Sequence, residues 1–314
     1  MRYRSPLLTV AVLLMLGSAA LAADSGAETI LSWDFEDGME GWTPNPHLAD
    51  VGAEDGVFRA RGDGDDPIMT VGGFSVPARP SQWIEVRMKC RPGGNMAIYW
   101  ATTTKEPYGG FRTGQLVRMN VKGDGTWHTY RVFPFWQGGK NILKLRLDPF
   151  DGAEFAIDYI RVRDPDTPPS SGSSYRWEFE DDEDGGGWWA ASDIESLSRG
   201  DGRLHMRSSQ GGGMVLAPPV ELDTRERRWV CLRMKTSEAR FGALCWAGSG
   251  KGGLQRKSFP LVRDGRFHTY TVCMAGENQW GGELVGFGLS PSLTDGAGVT
   301  VDRVEIAGRP VGKA

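Results

Sequence analysis

Ile84-Glu85-Val86-Arg87-Met88-Lys89 sets apolar residues at even positions and polar ones at odd positions, and Val230-Cys231-Leu232-Arg233-Met234-Lys235 repeats the pattern 146 residues later. Period two is the mark of a half-buried strand, with one face on a core and the other toward water. Leu143-Lys144-Leu145-Arg146-Leu147-Asp148 and Tyr130-Arg131-Val132 alternate in the same way. Asp-Gly, Gly-Gly and Pro-Gly turn signals punctuate these runs. Beyond the N-terminal leader no apolar run has the 3.6-residue period and length of a helix. The expected fold class is all-β.

Working outward, the chain says nearly everything twice. Trp33-Asp34-Phe35-Glu36-Asp37 returns as Trp177-Glu178-Phe179-Glu180-Asp181, and Trp100 as Trp246. Asp124-Gly125-Thr126-Trp127-His128-Thr129-Tyr130 returns as Asp264-Gly265-Arg266-Phe267-His268-Thr269-Tyr270. Trp136, Pro149 and Asp158 match Trp280, Pro291 and Asp302. The offset stays between 140 and 146 residues, which is the size of a whole domain and far longer than a solenoid unit. Between the copies, 164–174 is a run of Pro, Ser and Gly with neither core nor ladder residues, so it reads as a linker. Two domains are expected, at 28–163 and 175–308.

Residues 1–22 read as an export leader: Arg2 and Arg4, an apolar run from Leu7 to Leu16, and the cleavage signature Ala20-Leu21-Ala22. The run is short for a span of about 20 apolar residues. A secreted, periplasmic or envelope protein with no membrane span after cleavage is expected. The formal charge is −4, and loss of Arg2 and Arg4 would make it about −6, which argues against nucleic acid or anionic lipid as the main partner. A monomer is expected. Of the four cysteines, Cys90, Cys231, Cys245 and Cys273, three lie in the second copy. In an exported chain a disulfide is the default. A Cys231–Cys245 bridge fits the symmetry of the two about a hairpin tip near Glu238.

Three blocks together carry a family resemblance. They are Trp33-x-Phe35-Glu36…Gly41-Trp42, then Asp124-Gly125-x-Trp127-His128-Thr129-Tyr130, then Trp136-x-Gly138…Leu145-Arg146-Leu147-Asp148-Pro149…Ile157-Asp158-Tyr159-Ile160-Arg161-Val162. In this order the chain resembles the galactose-binding-like jelly rolls that serve as carbohydrate-binding modules in exported bacterial polysaccharide-degrading systems. The resemblance spans nearly all of both copies, and the last block is clean only in the first. It implies two tandem antiparallel β-sandwiches of jelly-roll type. It also implies a structural calcium ion in each, with Glu36 and Asp158 among the ligands in one copy and Glu180 and Asp302 in the other, since hard oxygen donors suit that ion.

Sugar binding needs aromatic rings on a solvated face, with polar groups nearby for the hydroxyls. Trp33, Trp83 and Trp127 sit beside strand starts and read as core. The candidates off the apolar face or in loops are Arg87, Tyr99, Phe111, Phe133, Trp136, Lys144 and Arg146, with Tyr108 beside Phe111. In the second copy the sheet positions become Arg233, Cys245, Cys273, Gly286 and Gly288, so the first copy is the better candidate for a polar or anionic glycan. His128 and His268 read as structural, because no nucleophile recurs at fixed spacing and no catalytic motif is present. The expectation is a non-catalytic protein whose two modules engage a polysaccharide. The alternatives are a structural or protein-binding envelope protein without a sugar site and, further off, a polysaccharide hydrolase or lyase. A solvent-facing aromatic beside Arg87 or Arg146 would favour the glycan.

Overall fold

A computed structural model describes residues 27–165, 175–180, 187–218, 220–250 and 252–310. The leader and all but the first two residues of the 164–174 segment lie outside the described residues. The expected all-β class holds, and the described chain folds as two antiparallel sandwiches, with a short 3-10 turn at Tyr108–Gly110 in the first.

The first sandwich contains β1 (Ala27–Trp33), β2 (Thr43–Pro44), β3 (Leu48–Glu54), β4 (Val57–Gly62), β5 (Met69–Pro77), β6 (Trp83–Arg91), β7 (Gly94–Ala101), β8 (Leu116–Val121), β9 (His128–Val132), β10 (Asn141–Asp148) and β11 (Glu154–Pro165). One sheet runs β3-β4-β11-β6-β9, with β1 also on β11, and the other runs β2-β5-β10-β7-β8. The second sandwich contains β12 (Arg176–Glu178), β13 (Trp189–Ser192), β14 (Ile194–Gly200), β15 (Arg203–Ser208), β16 (Met214–Leu216), β17 (Leu222–Asp223), β18 (Trp229–Lys235), β19 (Phe241–Gly248), β20 (Gln255–Pro260), β21 (His268–Cys273), β22 (Glu283–Ser290) and β23 (Gly298–Ala307). Its sheets run β14-β15-β23-β18-β21, with β12 on β23, and β13-β16-β22-β19-β20, with β17 on β22. The order of the first sandwich is thus repeated. The chain changes sheet at most connections, as a jelly roll does.

The alternation explains each core. Ile84, Val86 and Met88 on β6 meet Ile98 and Trp100 on β7 and Leu145 and Leu147 on β10. Val230, Leu232 and Met234 do the same against Leu244, Trp246 and Leu289. The shared His-Thr-Tyr block is a turn staple. Asp124 accepts from the Thr126 amide at 2.9 Å and holds His128 Nε2 at 2.9 Å, while Tyr130 Oη accepts from the Lys122 amide at 2.9 Å. Asp264, His268 and Tyr270 repeat it, with Tyr270 Oη accepting from the Val262 amide.

A third apolar cluster lies between the sandwiches. Trp83, Phe133 and Phe135 of the first pack on Ala191, Met214, Leu216, Cys245 and Ala247 of the second. The open edge of the first sandwich is therefore seated on the outer face of a sheet in the second. All four cysteines are free thiols, so the Cys231–Cys245 bridge that their symmetry allowed is not formed. Cys231 is on β18 and Cys245 on β19, in different sheets, and both project away from the core between them. Two packed sheets are about 10 Å apart, beyond the reach of a disulfide whose Cα atoms sit within about 7 Å.

Candidate functional site

The outer face of the β2-β5-β10-β7-β8 sheet is set by strand register. Thr70 on β5, Arg146 on β10, Tyr99 on β7 and Leu116 on β8 stand side by side in one row. Asp148, Ala97 and Arg118 form the next row. The Arg146 guanidinium lies 4.9 Å from the centre of the Tyr99 ring. Its Nε and Nη2 donate to the two oxygens of Asp148 at 2.5 and 2.6 Å. That fork fixes the guanidinium plane over the ring. Burial pushes the Asp148 carboxyl up despite its cationic partner.

Lys144, one pleat away, donates from Nζ to the Gly109 carbonyl at 3.3 Å and lies 5.1 Å from the centre of the Phe111 ring. It fastens the loop that follows β7 to the edge of this face. The loop closes tightly, because a Cβ on Gly110 would fall 1.8 Å from the Thr103 carbonyl oxygen and its φ is +96°. Phe111 is buried beneath the loop and is no solvent-facing platform, which corrects its assignment. Its neighbour Tyr108 is 79% exposed. Trp136 is also corrected: it is buried in the core against Trp100.

The expected patch is divided. Arg87 is on β6, in the opposite sheet from Tyr99, Lys144 and Arg146. Phe133 has the off-core register expected of it but is covered by the second sandwich, edge-on to Trp189 at 4.5 Å. Trp83 is likewise buried between the sandwiches rather than in a core. Around Arg87 a different constellation forms, which the expectation of a core Trp127 missed. Trp127 is half-buried on the outer face of β9's sheet, between the Arg87 guanidinium at 5.1 Å and Lys89 Nζ at 5.0 Å. Strand parity held the signal. Val132 and Tyr130 point inward, so Trp127, an odd step away, points out. Phe267 repeats it with Arg203, Arg233 and Lys235 around its ring.

The calcium ligands do not fit as placed. Asp158 sits at a bulge in β11 and its carboxylate is taken by Arg87. Asp302 sits at the equivalent bulge in β23, with Arg233 at 2.8 Å and Arg203 at 3.6 Å. Glu36 lies against Gly56 and Glu180 against Gly202, in the turns after β3 and β14. Each of these two aspartates is therefore already paired with a guanidinium. Among the described residues no three His, Cys, Asp or Glu side chains converge for a metal.

The second sandwich shows what replaces the Tyr99 face. Cys245, Gly286 and Gly288 stand on the corresponding strands, β19 and β22. They leave a shallow bed for Phe133-Pro134-Phe135. The Gly253 amide donates to the Pro134 carbonyl at 2.9 Å, and Asn120 reaches Asp193 at 3.5 Å. One of the two equivalent faces is open and the other is an interface.

No protein-family profile matches the chain, and no curated protein matches it. Solved structures similar to it include the C-terminal CBM6 of a marine laminarinase from Zobellia galactanivorans, at 16% identity, 43% of this chain, 93% of that one and a TM-score of 0.28. The second N-terminal cellulose-binding domain of a β-1,4-glucanase from Cellulomonas fimi matches at 15% identity, 46% of this chain, 99% of that one and a TM-score of 0.34. The glycoside hydrolase domain of Endo-D from Streptococcus pneumoniae matches at 12% identity, 84% of this chain, 36% of that one and a TM-score of 0.29.

Proposed function

We propose that this is an exported, non-catalytic carbohydrate-binding protein whose binding face is the outer face of the β2-β5-β10-β7-β8 sheet in the first sandwich. The observation that carries this is the Tyr99–Arg146–Asp148 arrangement on an open sheet face. A ring offers a flat apolar surface for the C–H side of a pyranose. A guanidinium and a carboxylate locked in one plane beside it offer donors and acceptors to neighbouring hydroxyls without losing entropy on binding. Exposed Tyr108 and Arg118 border the face and can contact a longer chain. The leader-like residues 1–22 support export. The equivalent face of the second sandwich is covered, so the protein engages its polymer through one such site, and avidity from two linked copies does not enter.

The test is affinity electrophoresis of the mature protein against soluble β-glucan, xylan, mannan and galactan, with product release measured alongside. Retention by one polymer without product, lost in Tyr99→Ala and Arg146→Ala, supports the reading. Retention unchanged in both variants sinks this face as the site, and release of product sinks the non-catalytic role.

A further inference from the structure

We infer that the opposite face of the first sandwich, on the β3-β4-β11-β6-β9 sheet, holds a second site, for an anionic glycan bearing sulfate ester or carboxylate groups. Register places Arg59 on β4 and Lys89 on β6 on either side of Ala156 on β11. The neighbouring row is Arg61, Glu154 and Arg91. There the central Glu154 offsets the two arginines, and Arg61 also meets Asp50 at 3.1 Å. In the Ala156 row nothing offsets them. Neither Arg59 nor Lys89 has a carboxylate partner among the described residues; Arg59 reaches only the Val57 carbonyl and Lys89 the Trp127 ring. Adjacent strands are about 4.8 Å apart, so the backbones of the two residues stand about 10 Å from each other across the Ala156 methyl group, and both side chains are long enough to swing over it. An anion seated over that methyl can take a charge-assisted hydrogen bond from each side chain.

The two rows line a trough of about 540 Å³, bordered also by Asp50, so that four cationic side chains face two carboxylates there. Trp127 stands at its rim beside Lys89, and Arg91 closes its end against the Asp124-Gly125 turn, donating to the Asp124 carbonyl at 3.1 Å. A ring at the edge of a cationic trough fits a pyranose that carries its charge on one substituent. The free anion alone would have no use for the ring. In the second sandwich the same row is His205, Thr300 and Lys235, and Thr300 Oγ1 bonds His205 Nδ1 at 3.3 Å. The second sandwich therefore lacks the paired cations. This site is independent of the Tyr99 face.

The experiment uses the mature two-sandwich protein with dextran, dextran sulfate and polygalacturonate at about 0.15 M salt, where long-range attraction is screened. Dextran sulfate or polygalacturonate should bind, with the stronger of the two identifying the charged group. Arg59→Gln with Lys89→Gln should weaken that binding at least tenfold, and Lys89→Gln alone severalfold. A control pair, Arg240→Gln with Arg263→Gln on the second sandwich, should change it less than twofold. Loss of β-glucan, xylan, mannan or galactan retention in Tyr99→Ala alone would leave this proposal standing. Binding to neither anionic polymer would overturn it. So would an equal loss from the control pair, or a single-stranded oligonucleotide bound as tightly and equally dependent on Arg59 and Lys89.

Discussion

Phe135 of the first sandwich lies so close to Gly286 of the second that a Cβ on Gly286 would sit 2.3 Å from the Phe135 ring. Phe135 is held at a φ of 46°, a region that bulky residues avoid, and its carbonyl accepts from the Gly253 amide at 3.2 Å. Gly286 occupies the strand position that Lys144 holds in the first copy. Gly286→Lys, which restores the residue type of the open face, is expected to push the sandwiches apart while leaving both cores intact. Cys245 is fully buried beneath this contact, and burial pushes its thiol up. Thiol labelling followed by peptide mass analysis should therefore show Cys245 reacting at least tenfold faster in the variant. An unchanged rate would mean that the two faces are not in contact in solution.

Phe133 contributes differently, through its edge-on contact with Trp189 and its burial against Met214 and Leu216. Truncating a well-buried aromatic costs about 3–5 kcal/mol in a core, and here the loss falls on the coupling between sandwiches. Phe133→Ala should resolve the calorimetric unfolding of the protein into two transitions, each near that of an isolated sandwich. A single transition moved to lower temperature would place Phe133 in the first core instead.

The fold was legible because alternation and repetition are local. Ile84 to Lys89 and its echo at Val230 to Lys235 announce strands of one sandwich made twice. Parity also placed Tyr99, Lys144 and Arg146 off the core. It could not say which sheet each strand joins. Arg87 and Tyr99 are close in sequence, yet β6 and β7 part at Arg91-Pro92-Gly93 and face opposite ways. Nor does parity tell water from a second domain. Cys245, Gly286 and Phe133 have an outward register and are all buried, because the outward faces meet. The run of small residues, Gly286-x-Gly288 opposite Cys245 and Ala247, was the available sign of a close approach. Trp127 was misread by type, since a tryptophan beside a strand suggests a core even where its parity points to solvent.

Arg146 and Asp148 are each mostly buried, with side chains 19% and 16% exposed, so breaking the pair leaves a charge without its partner. Arg146→Met should destabilise the protein by about 1–3 kcal/mol, and Asp148→Leu in the same chain should recover part of it. The pH dependence sharpens this. The folded carboxyl is raised above its ordinary 3.8 by burial, so the folded state holds the proton more tightly than the unfolded chain. Stability on this account is greatest below 3.8 and falls as the pH rises through the folded value. Removing Arg146 raises that value further. Thermal melts from about pH 4 to 7 should therefore decline more steeply for Arg146→Met than for the parent protein. Parallel profiles would show that Asp148 stays solvated.

Asp124 titrates in the opposite direction. Its carboxyl is held down to about 2, first by the Thr126 amide, then by His128 and the Thr126 hydroxyl. A depressed carboxyl stabilises the fold above its unfolded value of 3.8 and loses that contribution as pH falls through about 2. Because the backbone amide is the largest cause, His128→Ala should raise the Asp124 midpoint only partway, as followed by carboxyl carbon NMR. Asp264 provides the comparison. Its carboxyl is also lowered, first by the Arg266 amide and then by His268, although Arg266 replaces the threonine and its hydroxyl. A full return of Asp124 to 3.8 in His128→Ala would make the imidazole, not the turn, the controlling partner. A partial return in both His128→Ala and His268→Ala would establish the repeated Asp-Gly-x-(Trp/Phe)-His block as a turn that its backbone holds together. The histidine would then have no further task there, and Trp127 or Phe267, projected outward by that turn, would be the part of the block left for a ligand.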